Sequence, residues 1–288
     1  MENNDKKTVL IQQTQRNGYN YAIAEGITHA GGEIIMVSNA GVYYEPNAIK
    51  HLVKNFKNFN IGATTGKQIV LKGQNQPIGS KLEEIYRHFY DFMRISESQM
   101  DSTPDAKGEI LAIRKDICIS LLSKMYKSVN ASFDCCVPYE AKLNGFKTLY
   151  EPEAKYYEYA PASFMDRMKQ QARRASILIG SMLLYKNMLL NKKYGNFSLI
   201  IMPAHFIMLL ILPWLFSLGL LCYFILSFMN PVWFMLLLIL LPILIIEKSR
   251  VFLISFIQSQ MALIQAMIMV ANHRESLLID TISSTRIQ

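Results

Sequence analysis

The sequence predicts an α/β domain with a mostly parallel sheet, followed by an amphipathic helix and then apolar helices. Three observations carry this reading. Over the first half of the chain, short apolar runs rich in β-formers alternate with segments of helical spacing. From Tyr194 to Ile246 there is no Asp, Glu, Lys or Arg. Between these regions, a stretch beginning at Ser163 carries an apolar face and a basic face. The division that follows is 1–162 for the α/β domain, 163–197 for the amphipathic region, and 198–288 for a membrane region of two or three helices with a short tail.

Taken in order, Thr8 to Gln12 is a short β-like run and Arg16-Asn17-Gly18-Tyr19 is a turn. Tyr21 to Ala30 places Ala22, Ile23, Gly26, Ile27 and Ala30 at helical spacing, with Gly31-Gly32 as a stop. Ile34 to Val37 is a buried-type strand that opens into Ser38-Asn39-Ala40-Gly41. Strand, helix and strand in so short a span predict a βαβ unit. Pro46 starts a helix with Ile49, Leu52, Val53 and Phe56 on one face, and Gly62 to Leu71 is a strand. Lys81 to Met93 is an amphipathic helix, and the polar stretch from Ser96 to Gly108 reads as a loop whose Glu97 and Asp101 are solvated charges. Ile110 to Ile113 is a strand ending at Arg114, and Asp116 to Met125 a helix. Phe133 opens another helix that closes at Asn144-Gly145, and Lys147 to Tyr150 is the final strand.

In the amphipathic stretch, Phe164, Met168, Ala172, Ala175, Leu178, Ile179 and Met182 share one face. Arg167, Lys169, Gln170, Arg173 and Arg174 share the other, which predicts a helix lying in a membrane interface. Membrane spans are expected at about 207–228 and 231–246, since a crossing needs about 20 apolar residues. Val251 to Ala271 is a third apolar helix, and its Gln258, Gln260 and Gln265 should turn towards other helices. The turn at Asn230 is uncharged, while Lys186, Lys192, Lys193, Lys248 and Arg250 flank the other ends. The positive-inside rule then predicts an integral protein of the cell membrane with a cytoplasmic globular domain.

The formal charge of +8 lies almost wholly before the apolar run. Beside a membrane, such charge faces anionic lipid or an anionic substrate. No basic-aromatic platform supports a nucleic-acid partner. Cys118, Cys135, Cys136 and Cys222 have no CxxC spacing and read as reduced thiols rather than zinc ligands.

The loop at Ser38 to Gly41 stands where open α/β sheets bind ligands, at the carboxyl end of a strand, but it carries no acid. The residues around it resemble a family. Arg16-x-Gly18 with Ala22-Ile23-x-x-Gly26, Gly32-Glu33-Ile34-Ile35, Glu45-Pro46-x-Ala48 and Gly108-Glu109-Ile110-x-Ala112-Ile113-Arg114 follow one another in the family's order. Asp134-x-x-Val137-Pro138, Gly145-Phe146, Tyr150-Glu151-Pro152-Glu153-Ala154 and Gln170-Gln171-Ala172-Arg173-Arg174-Ala175 continue it. Together they resemble family 2 glycosyltransferases of the GT-A fold. The last motif is similar to the QxxRW of the cellulose, chitin and hyaluronan synthase group, with Arg174 at the Trp position.

The resemblance implies a Rossmann-like GT-A domain that transfers a sugar, with inversion, from a nucleotide-sugar to a glycan or lipid acceptor. Asp134 matches the catalytic base; from residue type alone it could equally cap its helix. Gly108, Arg114, Gln170, Arg173 and Arg174 match donor- and acceptor-binding positions, although Arg173 and Arg174 would also suit lipid headgroups. Mg²⁺ or Mn²⁺ is the family's cofactor, held by a DxD motif. Asn39 and Gly41 occupy those positions here, offering an uncharged carbonyl oxygen and backbone alone. Thr8 to Gln12 matches a later strand of the family, which implies an incomplete sheet without its nucleotide-binding edge. A second polypeptide could supply that N-terminal half. The alternative is a non-catalytic glycosyltransferase-like membrane protein acting as a binding or assembly subunit.

Overall fold

The computed structural model describes residues 8–272, apart from 16, 72–77, 126–130, 160, 162, 231, 234 and 236–244. Arg16, most of the expected span at 231–246 and the tail from 279 therefore lie outside the described residues.

The chain begins with α1 (Tyr19–His29), β1 (Ile34–Val37), β2 (Tyr43–Tyr44) and α2 (Ala48–Val53). There follow β3 (Ile61–Leu71), α3 (Ile78–Met100), β4 (Leu111–Arg114), α4 (Lys115–Met125), α5 (Phe133–Leu143) and β5 (Lys147–Tyr159). One five-stranded sheet runs in the order β1-β4-β3-β5-β2. β3 and β5 pair in parallel, but β1 with β4, β3 with β4, and β2 with β5 are antiparallel. The sheet is thus mixed rather than mostly parallel. β4 is the reason: it inserts against the grain between β1 and β3, a crossover that hydrophobic patterning does not encode.

Alternation along the strands covers both faces. Ile35, Val37, Leu111 and Ile113 point into a core shared with Ile27 of α1, Ile117 and Leu121 of α4 and Phe133 of α5. Ile110 and Ala112 point the other way, onto Ala48, Leu52 and Phe56 beneath α2. Thr8 to Gln12 forms no strand; Val9 and Leu10 are exposed and no described strand pairs with them. β1 is accordingly the edge of the described sheet.

β5 runs well past Tyr150, because Glu151-Pro152-Glu153-Ala154 is absorbed as a bulge rather than a stop. Gly66 pairs with Glu151 and Lys67 with Lys155, so three residues of β5 stand opposite none of β3. Gly66 is required there: a Cβ would lie 2.2 Å from the Ala154 carbonyl oxygen.

The polar stretch after Met93 is not a solvated loop. α3 continues to Met100, and Glu97 and Asp101 are buried. Glu97 accepts from Thr103 Oγ1 (3.0 Å) and meets His205 Nε2 (2.5 Å). Asp101 accepts from Lys142 Nζ (2.5 Å) and from the backbone N–H of Phe197 (3.0 Å). Charges that look solvated in sequence are here the anchor for the long apolar helix Phe197–Met229.

Before that helix comes α6 (Phe164–Leu184), N-capped by Ser163, whose hydroxyl accepts from Asp166 N–H at 3.0 Å. The expected basic, lipid-facing side is instead largely internal. Arg167, Gln170 and Gln171 are buried, whereas Phe164 and Met165 are exposed. The reason is a charge network. Arg167 is fully buried and donates to Glu83 of α3 (3.1 Å) and to Gln258 and Ser255 (3.3 Å) of the last described helix, Glu247–Ala271. That helix packs along α6 with Ala262 and Ala266 buried. Gln258 and Gln260 turn inward as expected, but Gln265 is exposed. Phe197–Met229 and Ser249–Ala271 are both long and apolar enough to cross a membrane.

Gly66→Ala should cost about 1–3 kcal/mol, since β5 backbone would have to move to admit one methyl. Chemical denaturation of the purified chain measures this, and an unchanged midpoint would contradict the packing.

Candidate active site

A cavity of about 500 Å³ opens between the carboxyl end of the sheet, α3, α6 and the two apolar helices. Asn39, Asp134, Arg173 and Arg174 all line it. Gln170 and Arg114 do not, and Gly108 borders it through Asp134.

Asp134 stands in the first turn of α5, but it does not cap that helix. Ser132 is the N-cap residue, and the backbone N–H of Phe133 donates to Asn20 Oδ1 (2.9 Å). Asn20 Nδ2 in turn donates to the Ala131 carbonyl (2.8 Å), so α1 ties down the start of α5 from outside. Asp134 is left for another role. Its Oδ2 accepts from the Gly108 N–H (3.1 Å), while Oδ1 is buried and unpartnered among the described residues. Gly108 must be glycine for this approach: a Cβ would lie 2.4 Å from the Tyr19 hydroxyl and 3.0 Å from Asp134 Oδ2. Burial raises the Asp134 carboxyl to about 6, and the nearby Glu109 and Asp105 carboxylates add to this against the Ser132 and Gly108 hydrogen bonds.

Cations gather on the neighbouring wall. Arg87, Lys107, Arg173 and Arg174 line the cavity. Arg174 lies 3.6 Å from Glu109 and 3.7 Å from Glu83 and from Glu158. Burial brings the Lys107 ammonium down to about 8. Burial also opposes ionisation of Glu83, but Arg87, Arg167 and Arg174 outweigh it and hold that carboxyl at about 2. Arg173 Nε and Arg87 Nη1 are buried without hydrogen-bond partners among the described residues.

On α6 the cavity takes Gln171 rather than Gln170, so the glutamine three residues before Arg174 is the one that faces in. The doubled Gln170-Gln171 and Arg173-Arg174 allow either register in sequence, and only packing chooses between them. Arg114 is engaged elsewhere. Its guanidinium donates to the carbonyls of Ile61 (2.7 Å) and Phe56 (3.2 Å), between the rings of Phe56 and Phe146. Tyr19, Lys107 and Gln260 line the cavity without any sequence signal of their own.

The expected metal position can be tested on its donors. Ser38 to Gly41 is an exposed loop carrying one amide and no carboxylate. The Tyr44 hydroxyl donates to the Glu109 carbonyl (2.6 Å) and sits 2.5 Å from Ser38 Oγ. No group of three His, Cys, Asp or Glu that could hold a metal is gathered among the described residues. A magnesium site leans on one or two carboxylates, so the residues at Asn39 and Gly41 do not fit Mg²⁺ or Mn²⁺ as the family's acidic pair would.

Comparison with known proteins agrees with this architecture. The family model "Glycosyltransferase like family 2" matches residues 2–176, and the chain belongs to that family. Among solved structures, the mannosyltransferase PcManGT from Pyrobaculum calidifontis, in complex with GDP-Man and Mn²⁺, aligns with a TM-score of 0.72. The identity is 19%, over 93% of this chain and 70% of that one, so the likeness establishes a GT-A-like fold. No curated protein matches by sequence.

Because the native carboxyl of Asp134 titrates near 6, against about 4 when unfolded, its stabilising contribution is complete below about pH 4. It is lost as pH rises through about 6. Asp134→Asn should therefore raise thermal stability at pH 8, by on the order of 1–3 kcal/mol, and change it little at pH 4. Melting curves at the two pH values test this; a variant less stable at pH 8 would mean that the carboxylate is held by a partner.

Proposed function

We propose that this chain is a membrane-bound inverting glycosyltransferase, moving a sugar from a nucleotide-sugar to an acceptor hydroxyl, with Asp134 as general base. The single observation that carries the reading is the divided Asp134 carboxylate. One oxygen is fixed on the Gly108 N–H, and the other is buried, unpartnered and turned to the cavity. A base must be held on one side and free on the other.

In the proposed reaction, the acceptor hydroxyl donates its hydrogen to Asp134 Oδ1. As that proton leaves, the acceptor oxygen bonds to the anomeric carbon from the face opposite the nucleotide. The bond from that carbon to the diphosphate oxygen breaks, its electron pair leaves with the nucleoside diphosphate, and the proton stays on Asp134. Charge building on the diphosphate is countered by Arg173, Arg174, Arg87 and Lys107, which share the cavity wall. Arg173 is the strongest candidate for direct contact, since its Nε has no partner among the described residues. A donor set without acid at Asn39 and Gly41 gives no basis for routing a step through a metal ion.

The same cavity is walled by α6 and the two apolar helices, which supports chemistry at a membrane surface. The flanking basic residues favour a cytoplasmic globular domain. A second polypeptide that completes the donor side beyond β1 is compatible with this reading.

The test is transfer by the full chain in membranes, with a panel of nucleotide-sugars and endogenous acceptor. Activity should rise with pH to half its plateau at about 6, and Asp134→Asn should lower kcat by about 10²–10⁴-fold with donor affinity retained. Turnover by the Asn variant at the parent rate would remove Asp134 from the chemistry and favour a non-catalytic role.

A further inference from the structure

The helix-lined end of the cavity holds polar groups that the proposed transfer step does not use. Gln171 on α6 and Gln260 on the last described helix are each more than nine-tenths buried and line the cavity. Gln171 Nε2 and Gln260 Oε1 have no hydrogen-bond partner among the described residues. The orientation of Gln171 is set from behind: Arg167 Nη1 donates to its Oε1 at 3.3 Å, which leaves the amide NH₂ for the cavity. Ser255 and Ser259 stand on the same inner face of the last helix, as do Phe252 and Phe256.

An unpaired buried donor and an unpaired buried acceptor each carry a desolvation cost of roughly 1–3 kcal/mol. A ligand that satisfies both removes it. A phosphate offers acceptors only; it would pair with Gln171 and leave Gln260 Oε1 facing negative charge. A hydroxyl donates and accepts at once, and a sugar ring presents several hydroxyls around an apolar C–H face that suits Phe252 and Phe256. An alkyl chain alone satisfies neither amide.

On the glycosyltransferase reading, we infer that Gln171 and Gln260 form an acceptor subsite for a neutral sugar residue. The acceptor is then a glycan end, free or carried on a lipid, rather than a bare lipid phosphate. Gln171 and Gln260 are positioning and specificity residues, while Asp134 remains the group that touches the reacting hydroxyl.

The experiment uses the full chain in phosphatidylcholine nanodiscs and measures binding of three probes below their micellar range: octyl glucoside, free cellobiose and octyl phosphate. Octyl glucoside should bind more tightly than octyl phosphate. Gln260→Met and Gln171→Met should each weaken glucoside binding by about three- to tenfold without changing nucleotide-sugar binding. Cellobiose binding as well as octyl glucoside would mark a free glycan end; glucoside alone would mark a lipid-linked one. Gln260→Met should melt no lower than the parent, because Oε1 gives up no bond. If octyl phosphate binds more tightly, or both variants bind glucoside as the parent does, the inference is overturned. If either Met variant melts far below the parent, Gln→Asn at the same position supplies the reading: retained polarity should restore glucoside binding in part, and no difference between Asn and Met overturns the subsite. Asp134→Asn should keep glucoside binding. A chain that binds glucoside through Gln171 and Gln260 yet transfers no sugar would fail as a glycosyltransferase while the subsite stands.

Discussion

The structure depends on one buried cation. Arg167 has no solvent exposure, and its guanidinium is shared among Glu83 of α3, the Leu82 carbonyl (3.2 Å), Gln171 of its own helix and Ser255 and Gln258 of the last described helix. A buried charge stripped of its partners is costly, of order 3–5 kcal/mol, whereas a fully hydrogen-bonded one is close to neutral. The network therefore adds little net stability, but it defines a geometry. The three helices have one mutual arrangement in which Arg167 is satisfied. Those helices are walls of the cavity, so the shape of the site follows from the placement of a residue that does not line it.

A second clamp acts at the other wall. Glu97 with His205, and Asp101 with the first N–H of the Phe197 helix, hold that helix onto the α/β domain. Past this point the helix carries π-helical stretches at Phe197–Ile201 and Ile207–Ile211, the second of which brings Met208 and Leu209 to the cavity. Polar docking at the domain and apolar lining beyond it are continuous. A molecule held there would have one end at Asp134 and the cations, and the other between helices able to span a membrane.

How far the fold and site were legible in the sequence follows from this division. Period-2 and period-3.6 patterning identify β1, β3, β4 and the helices α1, α3, α4, α5 and α6, because each buries a face against the same two-sided core. The direction of β4 carries no such signature, so the mixed order of the sheet was hidden. Glu97, Asp101 and Arg167 were misplaced for one physical reason: their partners lie far along the chain, and an ion pair buried by tertiary packing has the same sequence signature as a solvated charge. Gln171 could not be told from Gln170, since a one-residue choice on a helix is made by the neighbour that packs against it. Asp134 was legible as chemistry through motif order, but the atom that frees it from capping, Asn20 Oδ1, carried no signal.

The account's central claim is that the acceptor hydroxyl meets Asp134 in a cavity built jointly by the α/β domain and the apolar helices. The direct measurement is an experimental structure of the full chain with a nucleotide-sugar and an acceptor glycoside, trapped by Asp134→Asn. The account predicts a glycoside hydroxyl within about 2.6–3.2 Å of the residue-134 side-chain oxygen, with the diphosphate at Arg173 and Arg174. A glycoside bound outside this cavity, or a protein group filling the free side of residue 134, would contradict it.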